Sequence, residues 1–217
     1  QQKIKMRPFL VKEEKILLMA QSTGNSRDTV LAIKQVVNNC VVDTVDVEKL
    51  TTFDLEYLFV KLRARSINNV ISVTYSDPED EQQYKLDIDL DKVEIQRDER
   101  HNNKIEITDE MGIILRYPKT DMLKAVDQAT SEVDLYFEVI KYCVDQVYDA
   151  ENVYETSEQD PEELQEFITS LDVNTFKQIQ LFLETMPKLH YETSYTNSKG
   201  TERKVVLQNL NDFFMLG

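Results

Sequence analysis

The sequence predicts an α+β protein with a mainly helical body, a small antiparallel β-ribbon or sheet in the middle and a C-terminal β-hairpin. Apolar residues recur at helical spacing in the first and last thirds of the chain. Between about Asn68 and Tyr117 the period drops to two, and near the end two β-rich runs flank Asn197-Ser198-Lys199-Gly200. The chain therefore divides into an N-terminal helical part, 1–67, a strand-rich insert, 68–118, and a C-terminal helical part ending in the hairpin, 119–217. The two helical parts are expected to share one core, and no internal repeat is evident.

Pro8 precedes a first helix expected over Lys12 to Gln21, and Ser22-Thr23-Gly24-Asn25-Ser26 follows as a loop. A second helix is expected from Arg27 to Asn38, with Val30, Ile33, Val36 and Val37 at near-helical spacing. Thr51 caps a third: its hydroxyl can accept a first-turn N–H and Asp54 can reach back. Phe53, Tyr57, Leu58, Phe59 and Leu62 cover more than one stripe of that helix, so it should pack on more than one side. Lys61, Arg63 and Arg65 crowd its C-terminal end, where the helix dipole favours cations and where they could also meet an acidic partner.

From Val70 the residues become β-branched and aromatic, and Tyr84 to Leu90 alternates strictly, which predicts a strand pair. The acidic turn between them, Ser76 to Glu81, should be exposed because so many like charges resist desolvation. Short strands are expected at 93–96, 104–107 and 113–117, with the sheet wet on one face.

Helical character returns after Pro118. Ser131 and Asp134 have capping-box spacing, and Val133, Tyr136, Phe137, Ile140, Val144 and Val147 form an apolar stripe. Asp149 to Gln159 is acidic and reads as a mobile connection. Asp160-Pro161-Glu162-Glu163 opens another helix, Asp172 caps the next, and Pro187 closes it. In the hairpin turn Gly200 is free to adopt positive φ. Phe213, Phe214, Met215 and Leu216 leave an apolar C-terminal run that is either tucked into the core or offered to a partner.

At 217 residues the chain is long enough to bury a proper core. Cys40 and Cys143 stand far apart among apolar neighbours, which suits two reduced core thiols, although a disulfide between them is left open. No apolar stretch is long enough for a secretory or membrane-spanning segment, so a soluble intracellular protein is expected. Lys plus Arg total 25 against 40 Asp plus Glu, a formal net charge of −15. Such a surface repels a phosphate backbone, which makes nucleic acid an unsuitable partner; the acidity serves solubility or a basic docking partner.

Motifs for chemistry are lacking. His101 lies in a polar loop and His190 follows a helix end, and neither has a Ser or Cys in a nucleophile motif nearby. Asp87, Asp89 and Asp91 open like a calcium loop, but Lys92 and Asp98 stand where glycine and glutamate are needed. On a strand all three would share one solvated face. No zinc-type cluster and no phosphate-cradling glycine loop occurs, so neither metal nor cofactor is expected, and the chain reads as a non-enzyme.

Three segments stand out: Arg7-Pro8-Phe9-Leu10-Val11-Lys12-Glu13-Glu14-Lys15, the run from Phe53 to Ser66, and Asn209-Leu210-Asn211-Asp212-Phe213-Phe214, supported by Ile105 to Ile113 and the Met186-Pro187 helix end. In these the chain resembles the baseplate hub assembly proteins of T-even-type contractile-tailed phages. The resemblance extends over nearly the whole chain. Relatives with a cysteine pair in the strand-rich part suggest a zinc ribbon there; this sequence has none, which argues against a metal role.

The resemblance implies an assembly factor for the baseplate hub in the cytoplasm of the infected cell, with other hub or tail proteins as partners and no reaction of its own. Retention in the finished virion and self-association are left open. Two alternatives are a chaperone of the tail-length-determining protein and an integral subunit of the mature baseplate. Aromatic and Arg residues dominate interfaces of this kind, which singles out Phe9, Tyr57, Phe59, Arg63, Arg65, Phe213 and Phe214. Each also has a role as core or dipole complement open to it.

Overall fold

A computed structural model describes residues 3–122 and 130–214. Part of the helical return after Pro118, at 123–129, and the apolar Met215 and Leu216 lie outside the described residues. By contacts the chain forms two compact units, Gln1–Gln96 with Pro187–Gly217, and Arg97–Met186.

In the first unit, α1 (Val11–Thr23) begins at Leu10, whose N–H donates to the Glu13 carboxylate at 2.8 Å. It ends at Gly24, where φ of +66° suits a residue without Cβ. Asn25 caps α2 (Ser26–Cys40) by accepting the Arg27 N–H. Thr51 caps α3 (Thr52–Ser66): its hydroxyl accepts the Asp54 N–H at 3.3 Å and donates to the Asp54 carboxylate at 2.7 Å. Asp54 thus reaches back to the hydroxyl where the sequence suggested the backbone.

α3 serves two clusters of buried side chains. Leu55, Phe59 and Leu62 join Ile33, Val36, Val37 and Cys40 of α2, while Val60 and Ala64 face the strands. The strand side holds a ribbon of β1 (Val70–Ser76) and β2 (Gln83–Asp89) and a sheet ordered β3-β8-β9, where β3 is Glu94–Gln96, β8 Lys188–Thr196 and β9 Glu202–Leu207. Val73, Leu86, Ile88, Leu189, Val205 and Leu207 project into that cluster, alternating with outward-facing neighbours as a period of two requires. β8 and β9 pair from Tyr191↔Leu207 to Thr196↔Glu202, as the hairpin reading expected. The last helix of the unit is α7 (Leu210–Phe214).

The acidic turn is exposed at Ser76, Pro78, Glu79 and Glu81, as expected. Asp77 is the correction: it is buried, because the tip of the β8–β9 hairpin supplies donors that water would otherwise provide. Tyr195 Oη donates to Asp77 at 2.5 Å, Asn197 Nδ2 to Glu79 at 2.8 Å, and Ser198 N–H and Oγ to Asp80 at 2.9 and 2.6 Å. Arg203 adds an ion pair to Glu79 at 2.9 Å. These partners are more than a hundred residues away along the chain, so local sequence could not reveal them.

The second unit is a meander of β4 (Lys104–Glu106), β5 (Gly112–Leu115), β6 (Val144–Tyr148) and β7 (Val153–Glu155), all antiparallel and in that order. Three helices accompany it: α4 (Glu132–Cys143), α5 (Pro161–Ser170) and α6 (Val173–Thr185). Ser131, Asp160 and Asp172 cap them by accepting first-turn N–H groups. Ile105, Ile113, Leu115, Ile140, Val144, Ile168, Ile179 and Phe182 meet with Cys143 in its core.

Two expectations are corrected here. The helix from Ser131 stops at Cys143, and Val144 to Tyr148 is strand, because β-branched Val144 and Val147 fit a pairing with β5 that no helix could make. The acidic stretch 149–159 holds β7 and a 3-10 turn, Thr156–Glu158, and so is paired structure. The α+β class stands, but nine described strands in three antiparallel sheets are a larger share than a mainly helical body with one central ribbon. Helices α1–α3 and α4–α6 also serve different buried clusters, where the sequence reading grouped them round one core.

Candidate protein-binding site

All seven residues singled out for partner contact fall in the first unit. Phe59 and Phe213 are buried, at 3% and 2% exposure, and so are core. Phe9 is half-buried and stacks on Phe59 with ring centroids 6.3 Å apart, while Ser66 Oγ accepts its N–H. The side chain of Phe214 lies outside what is described.

Tyr57 packs against the strand-side cluster, with Lys61 Nζ 5.1 Å above its ring. Lys61 itself donates to the carbonyls of Leu90 and Asp91 at 3.0 and 2.7 Å, so it ties α3 to the 3-10 turn Leu90–Lys92. Arg65 is exposed and lies 3.8 Å from Asp91. Arg63 is half-buried; burial lowers its pKa and Glu14 opposes that shift.

Arg63, Phe59, Leu17, Leu18, Ile33 and Leu210 line a cavity of about 280 Å³, with Glu14 at its wall. It brings together two of the seven residues, Phe59 and Arg63, with side chains of α1, α2 and α7. Beside it, α1 leaves Val11, Leu18 and Met19 exposed at 87%, 57% and 60%. Positions 11, 15, 18, 19 and 22 share one helical face, so these form an apolar stripe interrupted by Lys15. The signal was readable: Ile16-Leu17-Leu18-Met19-Ala20 is apolar at five consecutive positions, more than one face of a helix can bury.

The carboxylates at 87–91 are engaged locally. Asp87 accepts from Ser72 Oγ at 2.6 Å, Asp89 caps the 3-10 turn, and Asp91 accepts from Asn69. Asp91 lies past the end of β2, so the three do not share one strand face. Among the described residues no group of three or more His, Cys, Asp or Glu could hold a metal ion. His101 stacks on Tyr117 at 5.3 Å and tilts against Phe182 at 4.9 Å, in a cluster where those two rings also touch, and His190 lies on β8 opposite Glu94. No helix among the described residues is long and apolar enough to cross a membrane.

Residues 1–215 match the family model described as T4 bacteriophage base plate protein. Neither the curated proteins nor the solved structures contain a match.

Proposed function

The chain belongs to the T4 bacteriophage base plate protein family, and from that premise we propose that it is a non-enzymatic assembly protein of the baseplate hub. It binds other hub or tail subunits through the helical face of its first unit. The observation that carries this reading is the exposed stripe Val11, Leu18 and Met19 beside the cavity lined by Phe59 and Arg63. Full burial of an aliphatic side chain stabilises by about 1.5–3 kcal/mol. Side chains left more than half exposed hold back much of that, and a docking partner recovers it.

Of the seven residues chosen from the sequence, Arg63 belongs to this contact, while Arg65 turns to Asp91 on another side of α3. Phe59 and Phe213 support it from within the core, as does Phe9 through its stack. Binding energy does the work, and the cytoplasm of the infected cell is where it would be used.

A tagged full chain expressed during infection tests this, with captured proteins identified by mass spectrometry. Wild type should enrich baseplate hub proteins, and Leu18→Glu with Met19→Glu should lose them while keeping the native circular dichroism spectrum. Enrichment of the tail-length-determining protein alone would favour the chaperone alternative. Stoichiometric presence in purified virions would favour an integral subunit.

A further inference from the structure

We propose that the second unit carries a separate docking groove for an extended, basic segment of another polypeptide, which adds as a strand to the free edge of β7. Val147, Tyr154, Leu164 and Phe167 line a groove of about 180 Å³ between β6, β7 and α5, with Thr156, Gln159 and Glu163 at its rim. β7 is the outer strand of the four-stranded sheet. Its side chains are unusually bare for apolar residues: Val153 is 60% exposed and Tyr154 40%.

The register fixes which backbone groups are open. Asp149 N–H donates to Asn152 C=O at 3.0 Å, and Val147 faces Tyr154 two positions further along. In an antiparallel pair, hydrogen-bonded positions alternate, so Tyr154 bonds inward to Val147. The N–H and C=O of Val153 and the N–H of Glu155 therefore point away from β6, where a second strand can take them, while the Glu155 carbonyl opens the 3-10 turn Thr156–Glu158. A helix cannot, which selects an extended occupant. Alternate side chains of that strand would enter the groove, and the others would meet the rim.

Charge selects the rest. Between Lys141 and Lys177 the sequence has ten Asp or Glu and no Lys, Arg or His. Of these ten only Asp145 has a cationic partner among the described residues, Arg116 at 3.0 Å. Glu163 stands at the rim of the groove and Glu155 ends β7, both within this anionic stretch, which favours lysine or arginine on the occupant and disfavours a second copy of this acidic chain. The occupant is a segment alternating apolar and basic residues.

Fluorescence anisotropy of the full chain with a labelled peptide alternating Lys and Val provides the test. A Lys–Gly peptide of equal charge and a Glu–Val peptide serve as controls, at low and at physiological ionic strength. The Lys–Val peptide should bind at least roughly tenfold more tightly than either. Val153→Pro, which removes an outward N–H, and Tyr154→Ala should each weaken it about tenfold. Glu110→Gln, in an exposed turn of the same unit, should leave it unchanged. Equal binding of the Lys–Gly peptide, absence of Lys–Val binding, or indifference to both Val153→Pro and Tyr154→Ala would overturn the proposal. Tyr154→Ala decides alone if Val153→Pro loses its native thermal transition. The outcome is independent of hub capture through α1, so the two readings fail separately.

Discussion

Arg7 and Glu13 form a two-pronged ion pair, with Nη2 2.9 Å from one carboxylate oxygen and Nη1 3.3 Å from the other, and Glu13 is closed off from solvent. Arg7 Nη2 also donates to the Asn39 carbonyl at 2.9 Å, so one guanidinium joins the start of α1 to the end of α2. Removing it would leave a buried carboxylate with only the more exposed Lys12, 3.6 Å away, one of the more damaging changes a fold can suffer. Arg7→Ala should lower Tm by roughly 5–10 °C in a thermal scan at neutral pH. The same pair sets an acid limb. Arg7 holds the Glu13 carboxyl down at about 2. Its contribution is present above the usual carboxylate range, near 4.5, and is lost as pH falls towards 2. Arg7→Ala should flatten that part of the pH–Tm curve.

Glu56 on α3 behaves in the opposite sense. Burial, aided by repulsion from Asp212, raises its carboxyl to about 7. The folded state therefore holds a proton that the unfolded chain releases near 4.5, and stability falls as pH rises from about 4.5 to 7. Glu56→Gln keeps the shape without the charge. It should raise Tm at pH 8 by roughly 3 °C and leave it nearly unchanged at pH 4. A Tm that responds equally at both values would show that Glu56 stays ionised.

These two carboxyls also mark where sequence reasoning runs out. Thr51, Ser131, Asp160 and Asp172 were readable as caps because their partners lie two or three residues away. The ribbon and the C-terminal hairpin were readable because alternation and a glycine turn are local too. Val144 and Val147 were not, since a spacing of three matches a helical stripe and not a period of two, and only the pairing with Leu115 and Ile113, with its register shift, decides. Asp77 is buried with donors such as Tyr195 that lie more than a hundred residues along the chain. The pairing of β3 with β8 joins residues about ninety positions apart. For the candidate site, aromatic identity drew attention to Phe59 and Phe213, which are core, and away from Leu18 and Met19, which are exposed.

Gly112 is required by a close approach. A Cβ there would lie 2.5 Å from the carbonyl oxygen of Ile105 and would collide with the Tyr148 hydroxyl. β4 and β6 flank this position from both sides, so neither neighbour can give without shifting the meander. Gly112→Ala should therefore destabilise the second unit by about 1–3 kcal/mol, read from the urea midpoint. Tyr148→Phe added to Gly112→Ala should recover part of that loss, because it removes one of the colliding atoms.

Cys40 and Cys143 are both free thiols and both fully buried. Burial pushes the Cys143 thiol up to about 12 and raises Cys40 as well. Thiolate is the reactive form, so neither should react with a thiol reagent at pH 8 in the native protein. Both should react once the chain is unfolded in guanidinium. A thiol titrating in the native state would show that its cluster opens locally.

His101 supplies the last expectation. Thr185 Oγ1 gives its proton to the Leu181 carbonyl at 2.6 Å, so it accepts from His101 Nδ1 at 2.9 Å. That leaves Nε2 as the unprotonated nitrogen, and it is buried without a hydrogen-bond partner. A second proton would put an N–H where no acceptor stands among the described residues, beside the rings of Tyr117 and Phe182. Desolvation accordingly lowers the pKa below 6.5, with Asp98 pulling the other way. The unfolded chain then takes up its proton first as pH falls. The His101 contribution to stability should be lost on acidification from about 6.5, against the gain from Glu56 and well above the Glu13 limb. His101→Gln should remove that early loss, and nuclear magnetic resonance titration of the imidazole should give a midpoint below that of a free histidine.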